Sequence, residues 1–226
     1  MNKILNKLNS TYPIKLIICD MAGTTVNENG MVYDTLYETI KKYGLMVNKN
    51  DIYKWYGKNK YEVLNNYTDN KKLQLKLHNN FDKTLTEKYF FNNNIKLIHH
   101  KLPDLFNDLR KNGIKIALNT EYGIEIQENI IKKLNMNEFI DNYISSEQVK
   151  YGRPHPYMIN RLMDINNINN PYNVIKIGDT ENDVLEGLNA ECGLSIGVLT
   201  GSGNIYDLSR SHLIMNSVMD LKTIDN

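Results

Sequence analysis

Ile14-Lys15-Leu16-Ile17-Ile18-Cys19-Asp20-Met21-Ala22-Gly23-Thr24-Thr25 begins as a β-branched and aliphatic run of strand length and stops on an acid followed by small residues. Outward from it the pattern repeats. Ile114–Leu118, Val174–Ile177 and Leu194–Leu199 are further strand-length runs, and Leu213–Met215 reads as an additional edge strand. Between them Leu102–Asn112, Gly123–Leu134, Pro156–Ile168 and Glu181–Ala190 carry helical period, with Leu105, Leu109, Ile126, Ile130 and Leu134 in their buried stripes. This alternation predicts an α/β fold, a Rossmann-like parallel sheet covered by helices on both faces.

Residues 31–93 break the alternation. They hold helical periods such as Leu36/Ile40 and Leu73/Leu77 and no strand-like run, so they read as a helical cap domain inserted after the first strand and closing over the end of the sheet. Asn92-Asn93-Asn94 is the expected return linker. The expected division is an N-terminal extension over 1–13, a core made of 14–30 and 94–226, and a cap over 31–93.

Composition sets the class. With 41% hydrophobic and 23% charged residues in 226, the chain reads as an ordinary globular protein, not a disordered one. Lys+Arg number 27 against 26 Asp+Glu, so no unbalanced field is left to hold a nucleic acid or an anionic membrane. Cys19 and Cys192 are the only cysteines, which excludes a disulfide scaffold and a zinc spacing and fits a reducing, cytoplasmic compartment. No run is long enough for a signal or spanning segment. Asparagine is abundant, 34 residues, but dispersed among regular apolar periods, so it substitutes for other polar residues in turns and on surfaces.

In open parallel sheets ligands lie beyond the carboxyl ends of the strands. The polar residues found there form one set: Asp20 through Thr25 after the first run, Asn119-Thr120 after the second, and Gly178-Asp179-Thr180-Glu181-Asn182-Asp183 after the third, with Gly152-Arg153-Pro154 adding a fixed cation ahead of a helix. Carboxylates from two strand ends suit Mg2+, a hard ion that favours oxygen ligands and phosphoryl groups. The metal and Arg153 would offset phosphoryl charge while Asp20 attacks phosphorus and Thr120 donates to a phosphoryl oxygen.

These motifs, in this order, resemble the haloacid dehalogenase superfamily and, within it, the phosphonatase-like branch of the phosphonoacetaldehyde hydrolases. The resemblance runs from Ile14 to about Leu221. Most of the superfamily has a second Asp two residues after the nucleophile and a Lys in the third motif; here Ala22 and Arg153 stand there, as in that branch. The resemblance implies an Asp20 nucleophile and Mg2+ bound by Asp20, the Ala22 carbonyl and Asp179, with Asp183 acting through water. It places Gly23, Thr24, Thr120, Tyr122 and Arg153 on the substrate. It also suggests a homodimer through the cap.

Ala22 has a physical reading of its own. The acid it replaces protonates a departing alkoxide, and a methyl group cannot. Cleavage of a carbon–phosphorus bond beside an imine needs no such proton, because the electron pair enters the iminium. That chemistry requires an amine, and in Gly57-Lys58-Asn59-Lys60 the last residue matches the Schiff-base lysine of the branch. The attacking amine must be unprotonated, with burial or Lys54 and Lys58 favouring that form. Val63 and Tyr56 depart from the branch, which has a histidine and a methionine at those places.

The sequence thus predicts a Mg2+-dependent hydrolase that splits phosphonoacetaldehyde or a similar small phosphonate through an aspartyl-phosphate and a Lys60 imine, with cap closure excluding water. The alternatives are a phosphate-monoester phosphatase of the same fold, in which Lys60 only binds an anion, and a non-catalytic ligand-binding descendant. Cys19 reads as a core residue pointing away from Asp20, His99 and His100 as surface residues, and Gly201-Ser202-Gly203 as a plain turn.

Overall fold

A computed structural model describes residues 12–53, 55, 60–91 and 95–224. Residues 1–11 of the expected extension, the Asn92–Asn94 linker and Lys54, Tyr56, Gly57, Lys58 and Asn59 lie outside the described residues. Contacts within the chain divide it into two compact units, one of residues 1–27 with 96–226 and the other of residues 28–95.

The strands in chain order are β1 (Leu16–Asp20), β2 (Val26–Asn27), β3 (Lys96–Leu97), β4 (Lys115–Thr120), β5 (Asn142–Ser145), β6 (Val174–Gly178), β7 (Leu194–Val198) and β8 (Leu213–Met215). Six of them form one sheet in the order β5-β4-β1-β6-β7-β8, every pair parallel. β1 is therefore flanked by β4 and β6, the place where the winding reverses and where a parallel sheet opens a crevice at its carboxyl edge. Register aligns the chemistry: Asp20 lies opposite Asn119, and Cys19 opposite Leu118 and Ile177.

Helices Leu102–Lys111, Ile124–Lys133, Tyr157–Ile165 and Glu181–Asn189 connect the strands, within three residues of the bounds that periodicity predicts. The Tyr157–Ile165 helix buries Met158, Ile159 and Leu162 against Leu16, Ile18, Ala117 and Val174 of the sheet. Apolar side chains of that size each contribute roughly 1.5–3 kcal/mol on burial, so this contact carries much of the core.

Two differences from the sequence reading concern strands. β5 is absent from it, because Asn142-Tyr143-Ile144-Ser145 holds only two apolar residues in succession. β2 and β3 pair antiparallel, Val26 opposite Leu97, as a short ribbon. Counting this ribbon with the sheet puts the unit boundaries after Asn27 and before Lys96, where periodicity places them at 30 and 94.

The second unit is helical among its described residues: Met31–Lys42, Lys49–Tyr53, Lys60–Asn65 and Lys71–Phe91. Leu36, Ile40, Val63, Leu64, Leu77, Phe81 and Tyr89 form its interior. Asn70 caps the longest helix, its Oδ1 accepting from the N–H groups of Lys72 and Leu73 at 3.0 and 3.2 Å. Among the described residues no helix is long and apolar enough to cross a membrane.

Candidate active site

The carboxyl ends of β1 and β6 bring three aspartates together. Asp20 is the last residue of β1, Asp179 follows β6, and Asp183 lies in the first turn of the Glu181–Asn189 helix. One carboxylate oxygen from each lies within 4.8 Å of the others, and all three side chains are buried.

Local chemistry fixes each of them. Asp183 forms a capping box with Thr180: its carboxylate accepts the Thr180 hydroxyl at 2.5 Å, while Thr180 Oγ1 accepts the Asp183 N–H at 3.3 Å. Asp179 Oδ2 accepts the Ser202 N–H at 2.7 Å and the Ser202 hydroxyl at 3.2 Å. Thr24 Oγ1 donates to Asp179 Oδ1 at 3.3 Å, and the Gly203 N–H to the Asp179 carbonyl at 2.9 Å. Gly201-Ser202-Gly203, read from sequence as a plain turn, is a bracket for this carboxylate. Gly23 belongs to the same close packing: it has φ +80, and a Cβ there would stand 2.7 Å from Asp179 Oδ2.

Arg153 reaches this cluster from the loop before the Tyr157–Ile165 helix. Its Nη1 lies 2.7 Å from Asp20 Oδ1 and 3.1 Å from Asp183 Oδ1. Its own backbone N–H donates to Glu121 Oε1 at 2.8 Å, and the Arg153–Pro154 peptide is cis. Thr120 is buried at the end of β4, where its Oγ1 accepts the Tyr122 N–H at 3.2 Å; the Tyr122 carbonyl accepts the Ser145 hydroxyl. Ala22 lies in the turn after β1, in a bridge with Val26.

Two charged residues at the site escape the sequence reading. Lys176, in the middle of β6, is fully buried, with Nζ 2.9 Å from Asp183 Oδ1 and 3.3 Å from Glu186 Oε2. Glu186, also fully buried, lies 3.1 Å from Arg153 Nε. The signal for Lys176 is a lysine set between isoleucines in a central strand; for Glu186 it is the position three residues after Asp183, on the same helix face.

Four buried carboxylates thus face two buried cations, a shortfall of two positive charges when every group is ionised. Protons answer part of the shortfall. Burial, reinforced by Asp183 and Asp179, raises the Asp20 carboxyl well above its usual range against the pull of Arg153 and Lys176. Burial and the neighbouring Asp183 push Asp179 up to about 6. Burial also disfavours the charge on Asp183, yet Arg153, Lys176 and Thr180 outweigh it and hold that carboxyl below its ordinary value. A divalent cation is the alternative remedy, since the three aspartates converge, one oxygen of each within 4.8 Å of the others. All-oxygen donors of this charge fit a hard cation such as Mg2+.

Cys19 and Cys192 are buried free thiols, both raised to about 12 chiefly by burial, so neither has nucleophilic character. His99 and His100 stack on each other with centroids 4.4 Å apart and belong to no metal-ligand cluster among the described residues. In the helical unit Lys60 Nζ donates to the Tyr33 hydroxyl at 3.2 Å and lies 4.8 Å from the centroid of its ring. Val63, three residues on, is buried in that unit's interior.

Comparison with known proteins places the chain. Residues 17–196 match the family model of haloacid dehalogenase-like hydrolases. A phosphonoacetaldehyde hydrolase of Parabacteroides distasonis is 37% identical over 98 residues, 43% of this chain and 37% of that protein. In three such relatives, one of them a bifunctional phosphonoacetaldehyde hydrolase/aminoethylphosphonate transaminase, the matched stretches span between 26% and 37% of the relative's length. The pyrophosphatase PpaX of Bacillus cereus is 19% identical over 93% of this chain and 96% of its own. The crystal structure of a phosphonoacetaldehyde hydrolase-like protein from Oleispira antarctica superposes with a TM-score of 0.77 over 94% of this chain and 91% of that one, at 21% identity, a likeness of fold. The chain belongs to the haloacid dehalogenase-like hydrolases.

Proposed function

We propose that this hydrolase cleaves the carbon–phosphorus bond of phosphonoacetaldehyde or a closely similar phosphonate aldehyde. The observation that carries the reading is Asp20 at the end of β1, with Arg153 Nη1 2.7 Å from its carboxylate and Ala22 in place of a second acid. This is a site equipped to attack phosphorus and not to protonate an alkoxide.

Bound between Asp20, Asp179 and Asp183, with the Ala22 carbonyl, Mg2+ would neutralise phosphoryl charge and leave Asp20 ionised. In the reaction the Lys60 amine condenses with the substrate aldehyde, releasing water and forming a protonated imine. Asp20 then attacks phosphorus; the carbon–phosphorus bond breaks and its electron pair moves into the iminium, giving an enamine. Arg153 and Thr120 hold the phosphoryl oxygens during this transfer. The enamine takes up a proton, water frees acetaldehyde from Lys60, and a second water hydrolyses the aspartyl-phosphate.

A phosphate-monoester or pyrophosphate hydrolase is the second reading, favoured by the end-to-end match to a pyrophosphatase. One assay separates the two. Incubation with Mg2+ and phosphonoacetaldehyde is expected to release phosphate and acetaldehyde in equal amounts, none in Asp20→Asn, and borohydride added during turnover is expected to fix an adduct on Lys60. Phosphate from ordinary monoesters or pyrophosphate, with none from the phosphonate and no adduct, would make the second reading the answer.

A further inference from the structure

The geometry points to Glu186 as a positioning residue that, with Asn119 and Lys176, holds the back edge of the Arg153 guanidinium so that only Nη1 faces Asp20. This rests on the reading of Asp20 as the phosphoryl acceptor and is indifferent to the choice between phosphonate and ester.

A guanidinium has five N–H donors in a rigid plane. On its back edge Nε donates to Glu186 Oε2 at 3.1 Å, and Nη2 donates to both the carbonyl and the Oδ1 of Asn119 at 2.9 Å. The remaining nitrogen, Nη1, is the one beside Asp20 and Asp183. Asn119 is held in turn: its Nδ2 donates to both Glu186 oxygens at 2.9 Å, and its Oδ1 also accepts from Lys176 Nζ at 2.7 Å. Lys176 closes the network by lying within 3.3 Å of Glu186.

Each member comes from a different element. Asn119 lies one residue before the end of β4, Lys176 lies in β6, Glu186 sits on the helix that follows, and Arg153 on its own loop. All three supports are fully buried, where an unpaired charge or amide is costly, so the network is specified as a unit. The hydrogen bonds and ion pairs of the Glu186 carboxylate go to Arg153, Asn119 and Lys176. Its effect on chemistry passes through Arg153.

The test is a double-mutant cycle on the full chain, with phosphate release from phosphonoacetaldehyde, or from p-nitrophenyl phosphate if that ester is what the wild type turns over. Glu186→Gln keeps the shape and removes the charge. It is expected to lower kcat on the order of 10²-fold, the cost of a small misplacement of a reacting group, with KM moving less than about threefold. In an Arg153→Ala background the same change is expected to add less than about twofold, because its target is gone. Losses that multiply in the double variant would assign Glu186 to general support of the fold and overturn the inference.

A measurement on the wild type covers the case in which Glu186→Gln does not fold. The Arg153 Nε–H, bonded to a buried carboxylate, is expected to give a 15N–1H resonance protected from water exchange at pH 8 and missing in Arg153→Lys. Exchange as fast as that of an exposed arginine would overturn the inference. If instead Asp20→Asn retains turnover, the phosphoryl-acceptor reading fails first and this inference with it; a dead Asp20→Asn beside a fully active Glu186→Gln removes the inference alone.

Discussion

Gly201 approaches Asp179 so closely that a Cβ at 201 would stand 2.0 Å from Asp179 Oδ2. Any side chain there displaces the carboxylate or the loop that brackets it. Gly201→Ala is therefore expected to weaken Mn2+ binding by about 10–100-fold, the usual cost of disturbing the groups that orient a metal ligand, and to lower turnover in parallel at limiting metal. Titration of the purified variant with Mn2+, followed by electron paramagnetic resonance, checks this; wild-type affinity would show that Asp179 does not hold the cation.

Arg153→Lys looks conservative, since a lysine serves at the matching place in most of the superfamily that this chain resembles. Here it is expected to cost roughly 10²-fold in kcat. A point charge on a flexible stem cannot fill the Asn119 and Glu186 acceptors and still face Asp20 as a planar fork does. Steady-state kinetics would refute the expectation if the variant stayed within about fivefold of wild type.

What the sequence makes legible follows from where signals are local. Asp20, Thr120, Asp179 and Asp183 each come at the end of an apolar run or just after it, so strand order alone gathers them at one edge of the sheet. Arg153 announces itself only by its motif, because the loop that carries it has no period. Lys176 and Glu186 are illegible for a different reason. A lysine in a strand and a glutamate in a helix ordinarily read as solvent-facing, and only the tertiary pairing of the two charges makes their burial affordable. Ser202 is hidden likewise, since a Gly-Ser-Gly turn gives no hint that the Ser202 N–H closes on a carboxylate 23 residues earlier. β5 fails through shortness, with two apolar residues where periodicity needs more.

A metal held by the three aspartates would compete with protons for the same oxygens, and the sign of that competition is fixed by Asp179. Its carboxyl is raised from the ordinary 3.8 to about 6 by burial and by Asp183. An acid raised in the native state binds more protons there than in the unfolded chain between those two values. In the absence of metal this group therefore removes stability as pH rises from about 4 to about 6. A divalent cation bound by these carboxylates would reverse the loss. In melting experiments with EDTA or excess Mg2+, the metal-induced rise in Tm is expected to be larger at pH 7.5 than at pH 5. Equal rises at both pH values would mean that the cation binds without displacing these protons.

Burial pushes the thiols of Cys19 and Cys192 up to about 12, and neither has an exposed face. Both are expected to resist an aromatic disulfide reagent at pH 7.5 until the chain is denatured, when two thiols should react. Rapid labelling of the native protein, with loss of activity, would place a reactive cysteine at the site after all.

Lys60 and Tyr33 pair inside the helical unit, with the ammonium 3.2 Å from the phenol oxygen and 4.8 Å from the ring centroid. Condensation of an amine with an aldehyde needs a group that passes protons between nitrogen and oxygen, and Val63 stands where related enzymes have a histidine. On the proposed imine route Tyr33, only 6% exposed, would offer a hydroxyl in its stead. Lys60→Ala and Lys60→Arg are both expected to abolish phosphonate turnover and the borohydride adduct, since neither side chain supplies a condensing amine. Tyr33→Phe keeps the ring under the ammonium and removes only the hydroxyl. It is expected to slow adduct formation by roughly a hundredfold while leaving the adduct on Lys60. A Lys60→Arg variant with near-normal turnover would reduce Lys60 to an anion-binding residue, and a Tyr33→Phe variant trapped at the wild-type rate would leave proton transfer to solvent.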